Sequence, residues 1–296
     1  MARLAEILPL VRSHGLKVNV DVLTTIGHHE ENLENSLPPD WQNVVDPSGR
    51  KCLGCFCPAD PGYLGYVRKL YAMIAEIKPD FIWIDDDVRF FSHKPALCTC
   101  FCDRCVANFS KETRRTYTRI GLADALEKDE YPFVLRRKWL EHNRTLLDGL
   151  LRVIERTVHS LCSEMSLGFM SGDSCYEGYP FERLARTLGG PHNIPVRWRP
   201  GGGFYSDGCL FGLVEKAHDM GRQIFLLPAS VEAIHSEVEN FPYQVLKKSA
   251  RATVLEGGAH MAAGATGVSF NILGPYTEPL SEFEPFFREI RKARPF

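Results

Sequence analysis

Short, near-continuously apolar runs alternate along this chain with longer stretches whose apolar residues recur at helical spacing, and few folds tolerate that alternation. The runs Lys17–Thr24, Asp80–Asp85, Ser166–Met170, Val196–Arg199, Gln223–Leu227 and Gly267–Ile272 read as strands. Strands apolar on both faces belong to a parallel sheet covered by helices. Between them, Ala2–Ser13, Gly62–Ile77, Tyr131–Cys162, Phe211–Met220 and Pro242–Ala262 read as helices, the third with a stripe through Leu147, Leu150, Leu151 and Ile154. This order predicts an α/β chain. A length of 296 residues suits a (β/α)8 TIM-barrel-like fold forming one unit over 1–296, with a cysteine-rich insertion around 52–105. Only six of the eight strands are visible, so the first two are absent, short or supplied by something else, and a second copy supplying them would make a homo-oligomer. The polar, Pro-rich segment Gly27–Gly54 reads as a long loop, and Arg288–Phe296 as a basic helical tail.

Charge narrows the choice of partners. Lys plus Arg number 35 against 37 Asp plus Glu, for a net charge of -2, and the basic residues are scattered, so no nucleic-acid or acidic-lipid surface is expected. No apolar run is long enough to span a bilayer, and Met1–Glu6 lacks the apolar core of a signal peptide; a cytoplasmic protein is the expectation.

Seven of the ten cysteines fall into two tight groups, Cys52/Cys55/Cys57 and Cys98/Cys100/Cys102/Cys105. Spacings of C-x-C and C-x-x-C in a long chain favour metal over a disulfide framework. Cys100, Cys102 and Cys105 offer three thiolates, and Cys57 or Cys98 can close a tetrahedral zinc site. Four thiolates leave no open position, so such a zinc is structural. An iron–sulfur cluster is the other use of the same spacing, and free buried thiols the bland one.

The chemistry of parallel barrels sits at the C-terminal ends of strands. There, Phe81-Ile-Trp-Ile84 runs straight into Asp85-Asp86-Asp87. Three adjacent acids are costly unless they bind a cation, a basic group or sugar hydroxyls; the bland reading is a loop acid paired with Arg89. A second acidic group, Glu232, Glu237 and Glu239, follows Gln223–Leu227. Two carboxylates flanking a glycosidic bond are what sugar hydrolysis requires. Trp41, Trp198, Tyr205 and Tyr243 offer flat apolar faces for sugar rings, while Trp83 suits core packing equally well. Arg197 and Arg199 stand at a strand end before Gly201–Gly203, and His28 or His29 can touch a ligand. The triple glycine has neither the P-loop nor the dinucleotide-binding pattern.

The segments Cys57-Pro-Ala-Asp-Pro-Gly-Tyr63, Trp83-Ile-Asp-Asp-Asp87 and Cys100-Phe-Cys-Asp-Arg-Cys-Val-Ala-Asn-Phe109 together resemble the β-galactosidases of glycoside hydrolase family 42, and Gly258–Gly267 is similar to the helix entering the last barrel strand of that family. The resemblance implies a retaining glycosidase on a (β/α)8 barrel and a zinc held by Cys57, Cys100, Cys102 and Cys105. It aligns Asp86-Asp87 with the family's Asn-Glu, making Asp87 the acid/base although its side chain is about 1.5 Å shorter. It makes Glu232 the nucleophile, with Glu237 and Glu239 left open. Asp85 or Asp86 would bind a hydroxyl. The expected function is therefore hydrolysis of a β-linked carbohydrate. The rivals are a non-catalytic carbohydrate-binding barrel and a hydrolase with a divalent metal on Asp85–Asp87 and His28 or His29.

Overall fold

The structure, a computed structural model, describes residues 1–28, 41–90, 93–97, 99–172, 178–239, 247–271 and 279–294. These form two compact units, 1–168 with 178–194, and 169–177 with 195–296.

The first unit opens with helix α1 (Ala2–Ser13) and strand β1 (Asn19–Val22). A hairpin of β2 (Asn43–Val45) and β3 (Lys51–Phe56) follows, where the sequence suggested only loop; its antiparallel pairing buries Val44, Val45, Cys52 and Cys55. Helix α2 (Pro61–Glu76) starts where Asp60 accepts the backbone N–H groups of Gly62 and Tyr63, with Pro61 fixing the first turn. Its buried Tyr63, Val67, Tyr71 and Ile74 recur every three or four residues and form the inward stripe. Strand β4 (Phe81–Ile84) is buried at every position and runs parallel to β1, Val22 opposite Ile84. Then come α3 (Asp103–Thr113), α4 (Arg119–Glu127) and the 28-residue α5 (Val134–Leu161), which packs on α2. Strand β5 (Ser166–Ser171) straddles the boundary between the units, and α6 (Phe181–Gly189) lies against α5.

The second unit alternates β6 (Val196–Pro200), α7 (Phe211–Phe225), β7 (Val231–Glu239), α8 (Ala250–Ala262) and β8 (Gly267–Asn271), and a 3-10 turn leads into α9 (Glu284–Ala293). Strands β6, β7 and β8 are parallel. Across the described residues the strand order is β1-β4-β5-β6-β7-β8, so the chain is α/β of the (β/α)-barrel type with six of the barrel strands present.

One strand is not where the sequence suggested. Gln223–Leu227 is not β: Gln223–Phe225 is the last turn of α7, burying Met220 and Gln223 three residues apart while Phe225 stays 88% exposed. A short apolar run does not distinguish a strand from a helix end. The strand comes later, at β7, whose alternation of buried Ser236 and Val238 with polar His235, Glu237 and Glu239 hid it. Helix α8 begins at Ala250, where Ser249 accepts the Ala252 N–H; part of the expected Pro242–Ala262 helix, 242–246, lies outside the described residues.

Candidate functional site

Parallel pairing of β1 with β4 brings the turn after Val22 beside the turn after Ile84. His28 therefore meets the acids: its Nε2 is 2.7 Å from Asp85 Oδ2 and 3.8 Å from Asp86 Oδ1. Arg89 closes the other side, 3.0 Å from Asp86 Oδ1. Burial opposes a charge on His28, but the Asp85 hydrogen bond and the neighbouring carboxylates outweigh it and raise its pKa to about 9. His28 is an imidazolium at neutral pH.

Asp87 points elsewhere. Its side chain is 0% exposed, and its Oδ2 accepts the backbone N–H groups of Ile26 and, at 2.6 Å, Gly27. Burial pushes its carboxyl well above the usual carboxylate range, against the pull of His28. A side chain with no surface touches no sugar, so the expectation that Asp87 is the acid/base is corrected: it holds the β1 turn. That turn needs glycine, because Gly27 has φ 124° and a Cβ there would lie 2.0 Å from the Gly54 carbonyl oxygen. Asp85 is almost fully buried against His28, and Asp86, 26% exposed, is the most accessible acid of the three.

In the second unit, Arg197 and Arg199 alternate with the buried Val196 and Trp198 along β6. Arg199 pairs with Glu237 at 2.7 Å. Glu239 is the last residue of β7, and the Asn271 amide at the end of β8 donates to it at 3.4 Å. His235, on the same face, is held below its ordinary pKa by burial and then by Arg197 and Arg199. Glu232 is exposed at the second position of β7, the opposite end of the strand. The strand it was expected to follow is helix, so the strand-end argument passes from Glu232 to Glu239.

The aromatic candidates divide. Trp198 is 0% exposed, packs on Phe169 and donates through its indole N–H to Ser171; it is core, not a sugar platform. Trp83 is also core, covering Gly168, where any Cβ would fall within the indole. Trp41 is half-buried against Phe56, Tyr63 and Tyr66. Tyr205 is half-buried after β6. His29, Cys98, Cys175 and Tyr243 lie outside the described residues.

Cys57, just after β3, meets Cys100, Cys102 and Cys105 at the start of α3, their sulfurs within 4.8 Å of one another and all buried. Cys57 lies 3.4 Å from Cys105 and 3.7 Å from Cys102. A tetrahedron with metal–sulfur bonds of about 2.3 Å has edges of about 3.8 Å, so the four sulfurs fit one ion with little movement. Contacts with Cys100, Cys105 and Cys57 drive the Cys102 thiol far down, while Cys100 and Cys102 push Cys57 and Cys105 up; a cation among them removes that conflict. The four buried cysteines could hold a metal. Cys52 and Cys55 are engaged otherwise, donating to the carbonyls of His93 and Gly27. Burial raises the Cys52 pKa to about 11.

No family model matches the sequence, and no curated protein matches it. Solved structures do match. The β-galactosidase of Bacillus circulans sp. alkalophilus is 14% identical with TM-score 0.63, over 99% of this chain and 47% of its own. That of the haloarchaeon Halorubrum lacusprofundi is 13% identical with TM-score 0.65, over 100% and 51%. A catalytic mutant of Gan42B, a GH42 β-galactosidase from G. stearothermophilus, is 12% identical with TM-score 0.59, over 91% and 43%. The chain resembles the family 42 β-galactosidases in fold, distantly. It spans about half the length of these proteins. No helix among the described residues is long and apolar enough to cross a membrane.

Proposed function

We propose that this chain is the barrel part of a glycoside hydrolase that cleaves a β-linked sugar with retention. The observation that carries the reading is the strand-end placement of two carboxylates, Asp86 after β4 and Glu239 closing β7, on a fold shared with β-galactosidases. Retention assigns the role of nucleophile to Glu239 in the second unit and that of proton donor, then acceptor, to Asp86 with His28 in the first, each taken by itself. Asp85 orients His28. Arg197, Arg199 and Tyr205 line the approach at the end of β6, and Trp41 stiffens the chain before β2. A structural zinc on Cys57, Cys100, Cys102 and Cys105 ties the β3 hairpin to α3 and takes no part in the chemistry.

Turnover of a panel of chromogenic β-glycosides by the intact protein tests the reading. Asp86→Asn and Glu239→Gln should each lower kcat/KM by about 10²- to 10⁴-fold with the fold retained. Sugar binding without turnover on any substrate would instead favour a non-catalytic carbohydrate-binding barrel.

One observation favours a second reading. Ligand atoms of His28, Asp85 and Asp86 lie within 4.8 Å of one another, a set suited to a divalent cation once His28 loses its proton. Turnover that requires added magnesium or manganese, with the thiolate site intact, would select it.

A further inference from the structure

Helix α7 presents apolar residues to the solvent as well as to the sheet. Its inner face is spent inside the second unit: Lys216, Met220 and Gln223 are buried, and Lys216 donates to Glu256, which Lys248 also reaches. At 3.6 residues per turn, Phe211, Val214, His218, Gly221, Arg222 and Phe225 fall within one arc of about 100° on the opposite side. Phe211 is 65% exposed and Phe225 88%, with Val214 exposed between them and Leu210 and Leu226 exposed at the two ends. The two phenylalanines alone leave on the order of 300 Å² in water. A contiguous apolar strip of that size marks a surface that a partner covers. Beside Phe225 the strip is hollow. A cavity of about 540 Å³ opens there between Gly221, Arg222, Phe225 and Leu226 of the helix end and Ala263 at the end of α8. The missing side chain of Gly221 keeps it open, since a Cβ there would already touch Ala263 at 3.6 Å.

The strip is its own complement. Phe211 and Phe225 lie seven residues either side of His218, and Val214 and Arg222 four. A two-fold axis beside His218 lays a second α7 antiparallel on the first. It brings Phe211 of one copy level with Phe225 of the other, and Val214 level with the cavity. Charge follows the same symmetry. Glu215 stands three residues before His218 and Arg222 four after it, on the same edge of the strip, and both are exposed. The axis sets each Glu215 within about 1.5 Å, one residue of helix rise, of the level of Arg222 in the second copy. Within its own chain Arg222 has Asp219 at 3.7 Å. One operation thus matches two apolar knobs and two opposite charges at once.

We propose that α7 is the two-fold interface of a homodimer, two copies packing antiparallel through this strip with Glu215 of each facing Arg222 of the other. A standard interface takes about 800 Å² from each copy. The strip supplies its apolar centre, and the charged pairs supply a polar rim. The pairing uses no residue of the candidate site, so it stands or falls apart from the hydrolase reading.

Sedimentation equilibrium of the intact protein is the experiment. The parent should be a dimer at micromolar concentration, and Phe225→Asp should weaken it by about 30-fold or more. Glu215→Arg and Arg222→Glu each set like charges against each other across the axis and should each weaken the dimer about ten-fold. Mixed in equal amounts, these two variants should recover the affinity of the parent to within about three-fold. In the mixed dimer a reversed charge meets a reversed one and a native charge meets a native one. Damage confined to each chain gives no such recovery. A monomer at every concentration would mean that something other than a second copy covers α7, and would overturn the inference. So would a dimer indifferent to Phe225→Asp, or a mixture that binds no tighter than its two components. If Phe225→Asp does not fold, the charge-reversed pair decides alone.

Discussion

Asp87 Oδ2 accepts the Gly27 backbone N–H at 2.6 Å, so the acid that sequence likeness marks as the proton donor is the support of the neighbouring strand turn. Asp87→Ala leaves two buried N–H groups without an acceptor and should cost about 1–3 kcal/mol for each. Asp87→Asn keeps an oxygen in place and should cost far less. The sign of the pH dependence separates them further. A carboxyl whose folded pKa is raised contributes stability that is fully present below its unfolded pKa and is lost as pH rises through the folded one. Urea unfolding from pH 3 upward should show this decline in the parent protein and its loss in Asp87→Asn.

His28 should titrate near pH 9 by proton NMR, well above an ordinary histidine. The Asp85 hydrogen bond is the largest contribution raising it, followed by the charges of Asp87, Asp85 and Asp86. Asp85→Asn removes the 2.7 Å partner and should bring the midpoint down toward 6.5, and Asp86→Asn should lower it less. Stability contributed by this pair is fully present below pH 6.5 and is lost as pH rises through 9. Equal shifts in the two variants would contradict the geometry.

Native mass spectrometry of the purified protein should find one zinc per chain. Cys102→Ser and Cys105→Ser should lose it and unfold at lower temperature, since a structural metal contributes directly to folding. Cys52→Ser and Cys55→Ser should keep it, because those thiols donate to carbonyl oxygens away from the cluster. Zinc lost from the Cys52 variant would mean that the ligand set is wrong.

What the sequence revealed, and what it hid, follows from how locally each feature is encoded. Strand β4 was legible because Phe81–Ile84 is apolar on both faces and bounded by acids. The thiolate group was legible because three of its members fall within six residues of one another. Strand β7 was not, because one face of it is lined by His235, Glu237 and Glu239 and a helix end beside it imitates a buried strand. Nor was the part played by Asp87, which depends on where residues 26 and 27 lie some sixty positions earlier in the chain. The buried lysine pair was hidden for the same reason: Lys216, Lys248 and Glu256 look like surface residues until α7 and α8 bring them together.

Trp198 shows how exposure changes an expectation. With its ring on Phe169 and its N–H on Ser171, it stabilises β6 from the helix side of the strand. Trp198→Ala should cost about 3–5 kcal/mol in urea unfolding through the cavity it leaves. Any loss of sugar binding should track unfolding, with affinity normal in the fraction that stays folded. Weakened binding in a fully folded Trp198→Phe protein would restore it as a sugar contact.

Glu232 and Glu239 belong to the same strand but can serve only one of its ends. Seven residues at about 3.3 Å each separate them by about 23 Å, roughly the height of a barrel. Glu232 is exposed near the start of β7, whereas Glu239 closes it beside Asn271. Because the chemistry of parallel barrels collects where strands end, Glu232→Gln should leave kcat/KM within about two-fold of the parent and Glu239→Gln should nearly abolish it. Steady-state kinetics on one reactive β-glycoside suffice to check this. The reverse result would mean that the chain brings its nucleophile from the N-terminal end of the sheet, and the two-carboxylate reading built on Glu239 would fall with it.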